Sequence, residues 1–395
     1  MNVVISAGGR FHAHRLAQQL ATRDSLRKLF TFDYEKKDTA FVPPAMVQTI
    51  TSCKIMNDLF VRCQLARFVN KTYFNNIKDN IFDRLVAQKL NRLEPFDLFV
   101  GWAHYVNSCI PIAKKRGALV VLESGSCHIV HQEALLQQEY DRWGISFRPI
   151  YAPTKEKMLA EYQQADYIMT LSSFAQKSFI AQGLPTQKIR MVPCGSDVAY
   201  FIPQQPMNAI IAERKKKFRV LFVGLVALRK GVQYLLEAWH KAGLPPNQTE
   251  LIIVGALQQD FMQIIKQLPI SANVTFVGPT DRATLQKYYQ QASVFVLPSI
   301  EEGFGMVIGE AMASGLPVIC SINSAGPDLI VHQQHGFLIP AGKSDNIAHW
   351  LTWCYNNQDE AAVMGLHAQQ HIQAWTWERY GGAIYDEYQR ILQGA

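Results

Sequence analysis

The stretch "EEGFGMVIGEAMASG", residues 301–315, sets two carboxylates, Glu302 and Glu310, on either side of a Gly-Phe-Gly turn. A strand-like run, "SVFVLPSI", precedes it, and "MVIGEAMASG" reads as a helix that Gly315 ends. Gly303 and Gly305 would let the backbone approach a ligand closely. The amides of Phe304, Gly305, Met306 and Val307 would then be the orphan donors of a helix N-terminus, which attract an anion. Glu310, about one turn in, is placed to accept hydrogen bonds from hydroxyl groups beside that anion. Glu302, on the preceding loop, is free to face a cleft. Two carboxylates and a group of amides suit a ligand that carries both a phosphate and sugar hydroxyls. An N-cap glutamate followed by an ordinary packing helix fits the same residue types, so residue chemistry alone leaves both readings open.

Such residues need elements to hold them, and the chain alternates short β-rich runs with helical stretches, twice over. The first half carries "NVVIS" (2–6), "FDLFVG" (96–101), "ALVVL" (118–122), "DYIMTL" (166–171) and "KIRMVP" (188–193). The second carries "FRVLFVG" (218–224), "ELIIVG" (250–255), "NVTFVG" (273–278), "SVFVLP" (293–298) and "LPVICS" (316–321). Near-continuous apolar strands between helices predict parallel sheets covered on both faces, with ligands at the carboxyl ends of the strands. Gly101, Gly224, Gly255 and Gly278 end strands; the first and third read as plain turns. "YFIPQQPMNAIIAERKKK" (200–217), rich in Pro, Gln and charge, reads as a linker. The expected division is 1–205 and 206–376, with a C-terminal helix, 377–395, returning to complete the first domain.

Composition agrees with two domains. A chain of 395 residues is too long for one typical core, and 48% hydrophobic with 18% charged residues is ordinary for a globular protein. Seven cysteines, scattered and with no CxxC pair, point to a reducing compartment and away from a disulfide framework or a zinc site. The opening "MNVVISAGGRFHAHRL" does not read as a signal peptide, and no apolar run approaches the ~20 residues that span a bilayer. The net charge of +7 is uneven: residues 1–205 hold 25 Lys and Arg against 17 Asp and Glu, while the remainder holds 14 against 15. A basic half can meet nucleic acid, an anionic membrane or an anionic substrate. No aromatic-basic RNA motif appears, so no nucleic-acid partner is expected.

"PSIEEGFGMVIGEAMASGLPVI" resembles the E-x7-E signature of the family 4 retaining glycosyltransferases, whose fold is GT-B: α/β, two Rossmann-like doubly wound domains facing a central cleft. "VLFVGLVALRKGVQYLLEAW" (220–239), "VTFVGPTDRATLQKYYQQASVFVLPS" (274–299) and "IRMVPCGSDVAYF" (189–201) resemble further segments of that family in order and spacing. The resemblance implies roles. Glu310 would bind ribose hydroxyls of a nucleotide-sugar and Glu302 the transferred sugar. Amides from Phe304 to Val307 would hold the diphosphate, and Lys230 would neutralise it as the glycosidic bond breaks. Many members have Arg directly after the strand glycine Gly224; here Leu225 stands there, and Arg229 is the expected second cation. Gly278 and Pro279 would face the base. Gly8 and Gly9 resemble the glycine loop that closes over the diphosphate. Of His12 and His14 after it, at least one is expected to be a plain surface residue. His104 resembles the histidine near the donor sugar, and Glu123, Ser126 and His128 would line the acceptor side.

The reaction so implied is transfer of a sugar from a nucleoside diphosphate to a hydroxyl of a glycan, glycolipid or small acceptor, with retention of configuration. Bacterial polysaccharide, lipopolysaccharide or glycolipid synthesis is its expected setting, in the cytoplasm or on the inner face of the membrane. No cofactor is expected beyond the donor substrate itself. No D-x-D pair occurs, so cations and amides would stand where a metal acts in other transferases. A sugar-nucleotide epimerase of the same fold and a non-catalytic sugar-nucleotide or RNA-binding protein are the alternatives. One stretch leaves two readings of its own. Residues 54–92 carry eight Lys and Arg against three Asp, interleaved with Leu59, Phe60, Leu65, Phe68, Val69, Phe74, Ile77 and Ile81. Either a helix pair packs on the sheet, or a basic amphipathic face lies against an anionic membrane.

Overall fold

The computed structural model describes residues 1–63 and 70–394. It contains two parallel sheets. The first takes strands β1 (Val3–Ser6), β2 (Leu26–Thr31), β3 (Val47–Thr49), β4 (Leu98–Trp102), β5 (Leu119–Ser124), β6 (Tyr167–Thr170) and β7 (Ile189–Met191) in the order β3-β2-β1-β4-β5-β6-β7. The second takes β8 (Phe218–Val223), β9 (Thr249–Val254), β10 (Val274–Gly278), β11 (Val294–Leu297), β12 (Val318–Ser321) and β13 (Gly336–Ile339) in the order β10-β9-β8-β11-β12-β13. In each sheet the first strand lies inside and the order reverses around it. Ile5 of β1 sits between Leu29 and Val100, and Leu221 of β8 between Ile252 and Phe295. Val3, Val4 and Ile5 are all fully buried, as are Val220, Leu221 and Phe222, because helices cover both faces. This is the α/β, doubly wound architecture that the strand pattern predicts.

Three strands escape the sequence pattern. β2 carries Arg27 and Lys28 in its middle, β3 has three residues, and β13 opens on glycine. The proposed linker is also less open than its composition implies. Met207–Lys216 is a helix, and its Arg214 is buried, donating to the carbonyls of Gln290, Ser314 and Gly315. That guanidinium satisfies carbonyls at the end of the helix Met306–Ala313. The last helix, Trp377–Leu392, lies against the first sheet's helix Ala13–Ala21, with Gly381 seated on Gln19.

The two halves meet through buried polar contacts. Helix Ile129–Arg142, which follows β5, faces helix Val232–Ala242, which follows β8. Between them Glu139, 5% exposed, accepts from Gln233 Nε2, Tyr234 OH and Trp143 Nε1 at 2.7–2.8 Å. Tyr140 OH and the Leu228 amide both donate to Asp260 Oδ2. A buried carboxylate with three donors is well compensated, and it fixes how the halves abut.

Candidate donor cleft

The carboxyl ends of β8 and β11 bring two loops together. After β8, residues Leu228–Lys230 form a single tight turn and Gly231 begins the next helix at φ 70°. A Cβ on Gly231 would stand 2.0 Å from the Pro298 carbonyl oxygen, so only glycine lets this turn rest on the end of β11. Lys230 thereby reaches the loop before helix Met306–Ala313, where its ammonium is paired with Glu302. Both side chains are only 13% exposed. Glu302 is therefore not free, as its loop position implies; the two residues predicted to meet the ligand hold each other. Any anion that takes Lys230 must displace Glu302 or bind beside it.

Gly305 is the N-cap of that helix, at φ 88°, and contributes no side-chain cap. Among the described residues the amides of Phe304, Gly305, Met306 and Val307 have no hydrogen-bond acceptor. They form an open anion-binding end beside the Lys230 ammonium. One turn along, Glu310 accepts from the buried Tyr289 hydroxyl at 2.9 Å. Burial raises the Glu310 carboxyl, against the opposing pull of that hydrogen bond and of Arg282. Gly224 and Gly278 end β8 and β10 nearby in the sheet, at φ 152° and 81°, with Gly278 facing open space and Pro279 exposed.

Arg229 goes elsewhere. Its guanidinium lies 3.0 Å from Glu301 Oε2, and Glu301 is fully buried. Burial alone would raise that carboxyl, but Arg229, Gln132 and Cys127 hold it below its ordinary value. Gln132 Nε2 and the Cys127 amide reach it from the first domain. Arg229 thus neutralises, through one guanidinium nitrogen, a carboxylate that ties the halves together, and its side chain remains 31% exposed. Gly303 is reassigned. A Cβ there would lie 1.9 Å from the Gly125 carbonyl oxygen, and its own carbonyl accepts from the buried Ser172 hydroxyl. Its smallness serves contact between the domains, not ligand approach.

On the first domain, Gly8 and Gly9 form the loop after β1, and the Tyr105 ring lies over Gly8 so closely that a Cβ would clash at 2.1 Å. His12 and His14 are both buried, 8% and 6% exposed, so neither is the surface histidine expected. His12 Nε2 lies 3.1 Å from Glu123 Oε2, and Tyr388 OH donates to the other oxygen. Glu123 is fully buried with both oxygens engaged, and it borders the same chamber as Ser126. His128 is corrected too: it caps helix Ile129–Arg142 by accepting from the Val130 amide, and burial lowers its pKa to about 4. Ser126 does line a chamber of about 290 Å³, with Phe11, Trp102, His104, Gln132 and Met158. His104 holds φ 66°, fixed by the buried Glu161, whose carboxylate accepts from the His104 and Val106 amides. Burial raises Glu161 to about 7 despite those bonds. Glu301, Glu161 and Tyr289 were not singled out from sequence, because nothing in a lone Glu or Tyr reveals the distant partner that makes it matter.

Comparison with known proteins fits this architecture. Residues 204–371 match the family model of glycosyl transferases group 1, so this segment is similar to that family. An uncharacterized glycosyltransferase of Methanocaldococcus jannaschii is 36% identical over 131 residues, 33% of each chain. A GDP-mannose-dependent alpha-(1-6)-phosphatidylinositol monomannoside mannosyltransferase of Mycobacterium tuberculosis is 25% identical over 239 residues, 56% of this chain and 61% of the relative. The chain thus spans a third to three fifths of these curated relatives. Among solved structures, HepE of Anabaena in complex with UDP aligns over 99% of this chain and 100% of its own, at 19% identity and a TM-score of 0.68. The fold is GT-B.

Proposed function

We propose that this protein is a retaining glycosyltransferase that moves a sugar from a nucleoside diphosphate to a hydroxyl acceptor. The carrying observation is the juxtaposition of the Lys230–Glu302 pair, the unpartnered amides of residues 304–307 and Glu310 at one strand end. A departing diphosphate needs fixed positive charge in a site of low dielectric, and the ammonium and amides supply it without reorganising. Glu302, released from Lys230 by the diphosphate, becomes an acceptor for hydroxyls of the sugar, and Glu310 one for the ribose. In this reading the leaving diphosphate takes the acceptor's proton, and no metal is needed. The UDP in HepE of Anabaena supports a nucleotide donor. The test is incubation of the full chain with UDP- and GDP-sugars and hydroxyl acceptors. Acceptor-dependent release of nucleoside diphosphate that survives exhaustive chelation is expected, with the anomeric configuration of the donor in the product. Conversion of the nucleotide-sugar to an isomer, or binding without consumption, would contradict transfer.

We infer that the acceptor side works at an anionic membrane surface, on the cytoplasmic face. No helix among the described residues is long and apolar enough to cross a membrane. The helix Thr51–Arg62 nevertheless exposes Ile55, Leu59 and Val61, and helix Lys71–Leu90 exposes Tyr73 and Ile77. Phe60 is turned inward, stacked on Phe74 at 4.0 Å. Leu65, Phe68 and Val69 lie outside the described residues. Exposed aliphatics set among basic residues suit an anionic lipid interface, where each basic group contributes ~1 kcal/mol. The phosphatidylinositol-linked acceptor in the Mycobacterium relative's name supports a glycolipid acceptor. Sedimentation with liposomes should show binding only when anionic lipid is present, fading with salt. Absence of binding to both liposome types at low salt would leave a transferase with a soluble acceptor.

A further inference from the structure

A second cavity, of about 220 Å³, opens beside the larger chamber, bounded by Asn75, Asp79, His104, Tyr105, Tyr151 and Thr154. Asp79 is 7% exposed, and its Oδ1 has no hydrogen-bond partner among the described residues. The neighbouring Lys78 ammonium, also buried, lies 3.7 Å from that oxygen and 4.4 Å from the Phe32 ring centroid. Asp79 Oδ2 lies 3.4 Å from His104 Nδ1. His104 itself is held at a positive φ by Glu161 and lines both cavities.

Resting on the donor reading above, we propose that this smaller cavity binds the terminal sugar ring of the acceptor, with Asp79 accepting its hydroxyls and His104 standing between it and the larger chamber that Ser126 lines. A buried carboxylate oxygen without a donor is costly unless a ligand or solvent hydroxyl supplies one. The orphaned Oδ1 is an acceptor for hydroxyl donors, and the Lys78 ammonium, which also lines the cavity, pairs with the carboxylate. Asn75 and Thr154 add amide and hydroxyl groups, and Tyr105 and Tyr151 add aromatic surface for the apolar face of a ring. Such a lining of paired charge, amide, hydroxyl and aromatic groups fits a carbohydrate ring. His104, held at a positive φ, is a residue fixed where the two cavities meet. The acceptor is therefore a chain that already ends in a sugar, which some preceding glycosyl transfer must have attached.

Saturation-transfer NMR of the full chain with methyl glycosides of glucose, galactose, mannose and N-acetylglucosamine tests this, with UDP and GDP titrated into the same samples. At least one glycoside is expected to bind the wild type. Asp79→Asn, which removes charge, and Asn75→Phe, which fills the cavity from a half-buried helix position, should each weaken it about tenfold or more, as loss of a charge-assisted contact or of space would. Nucleotide affinity should stay within about twofold, because neither residue touches the donor end. If Asp79→Asn fails to fold, Asn75→Phe decides alone. No glycoside binding, or equal binding by wild type and variants, overturns the proposal. The nucleotide titration separates this from failure of the donor reading, which would show as no nucleotide binding by the wild type.

Discussion

The guanidinium of Arg229 and the ammonium of Lys230 leave adjacent residues and meet adjacent carboxylates, Glu301 and Glu302. Glu301 is fully buried between the domains with the partly exposed Arg229 on it, and the other pair borders the cleft, so the two cations are expected to differ in what they do for stability and for turnover. Arg229→Ala strands a fully buried carboxylate and should cost about 3 kcal/mol in a denaturant titration. Lys230→Ala strands the largely buried Glu302, so it should cost some stability, less than Arg229→Ala, and lower turnover on the order of 100-fold, through one lost charge-assisted contact of ~2–3 kcal/mol. A stable Arg229→Ala with the larger loss of turnover would reverse the assignment. The sequence singled out Lys230 through the resemblance of residues 220–239 to the family segment, and the structure pairs it with Glu302. Nothing in the sequence showed that Arg229 meets Glu301, because Cys127 and Gln132, which also bond that carboxylate, come from the other domain.

Element boundaries were legible wherever an apolar run is buried on both faces, as in β4, β8 and β11. β2 and β13 were not, since charge or glycine interrupts the run and neighbouring strands supply the missing register. Histidine 128 shows the same limit at a helix end: "GSCHIV" reads as loop chemistry, but packing against Tyr162 and Phe179 turns His128 into a cap. Its pH signature follows. The folded pKa, about 4, lies below the ordinary value, so the unfolded chain binds the extra proton first. This contribution to stability is complete above about pH 6.5 and is lost as pH falls toward 4, about 2 kcal/mol of it between pH 7 and pH 5. His128→Asn keeps an acceptor for the Val130 amide without the titration. Melting at pH 7 and pH 5 should show the variant losing less stability on acidification than the wild type; an equal loss would remove His128 from that role.

For the whole molecule, the two-sheet plan and the cleft between the halves follow from alternating strands and helices, whereas the contacts that set the halves' relative position do not. Gly303 against Gly125 and Glu139 against Gln233 and Tyr234 join residues far apart in sequence. Gly303→Ala should hold the halves apart, enlarging the radius of gyration in X-ray scattering and lowering turnover at least about tenfold through lost alignment. An unchanged radius and turnover would mean the contact is not needed for closure.

The central claim is that Lys230, the helix-end amides and Glu310 form the donor site. Isothermal titration of UDP, GDP and ADP into the wild type, Lys230→Ala and Glu310→Gln tests it most directly. One diphosphate should bind the wild type, and each substitution should weaken it at least about tenfold while the variant stays folded at the titration temperature, as expected for one lost contact to the phosphates or the ribose. Failure of all three to bind the wild type, or equal affinity across wild type and both variants, would contradict the account.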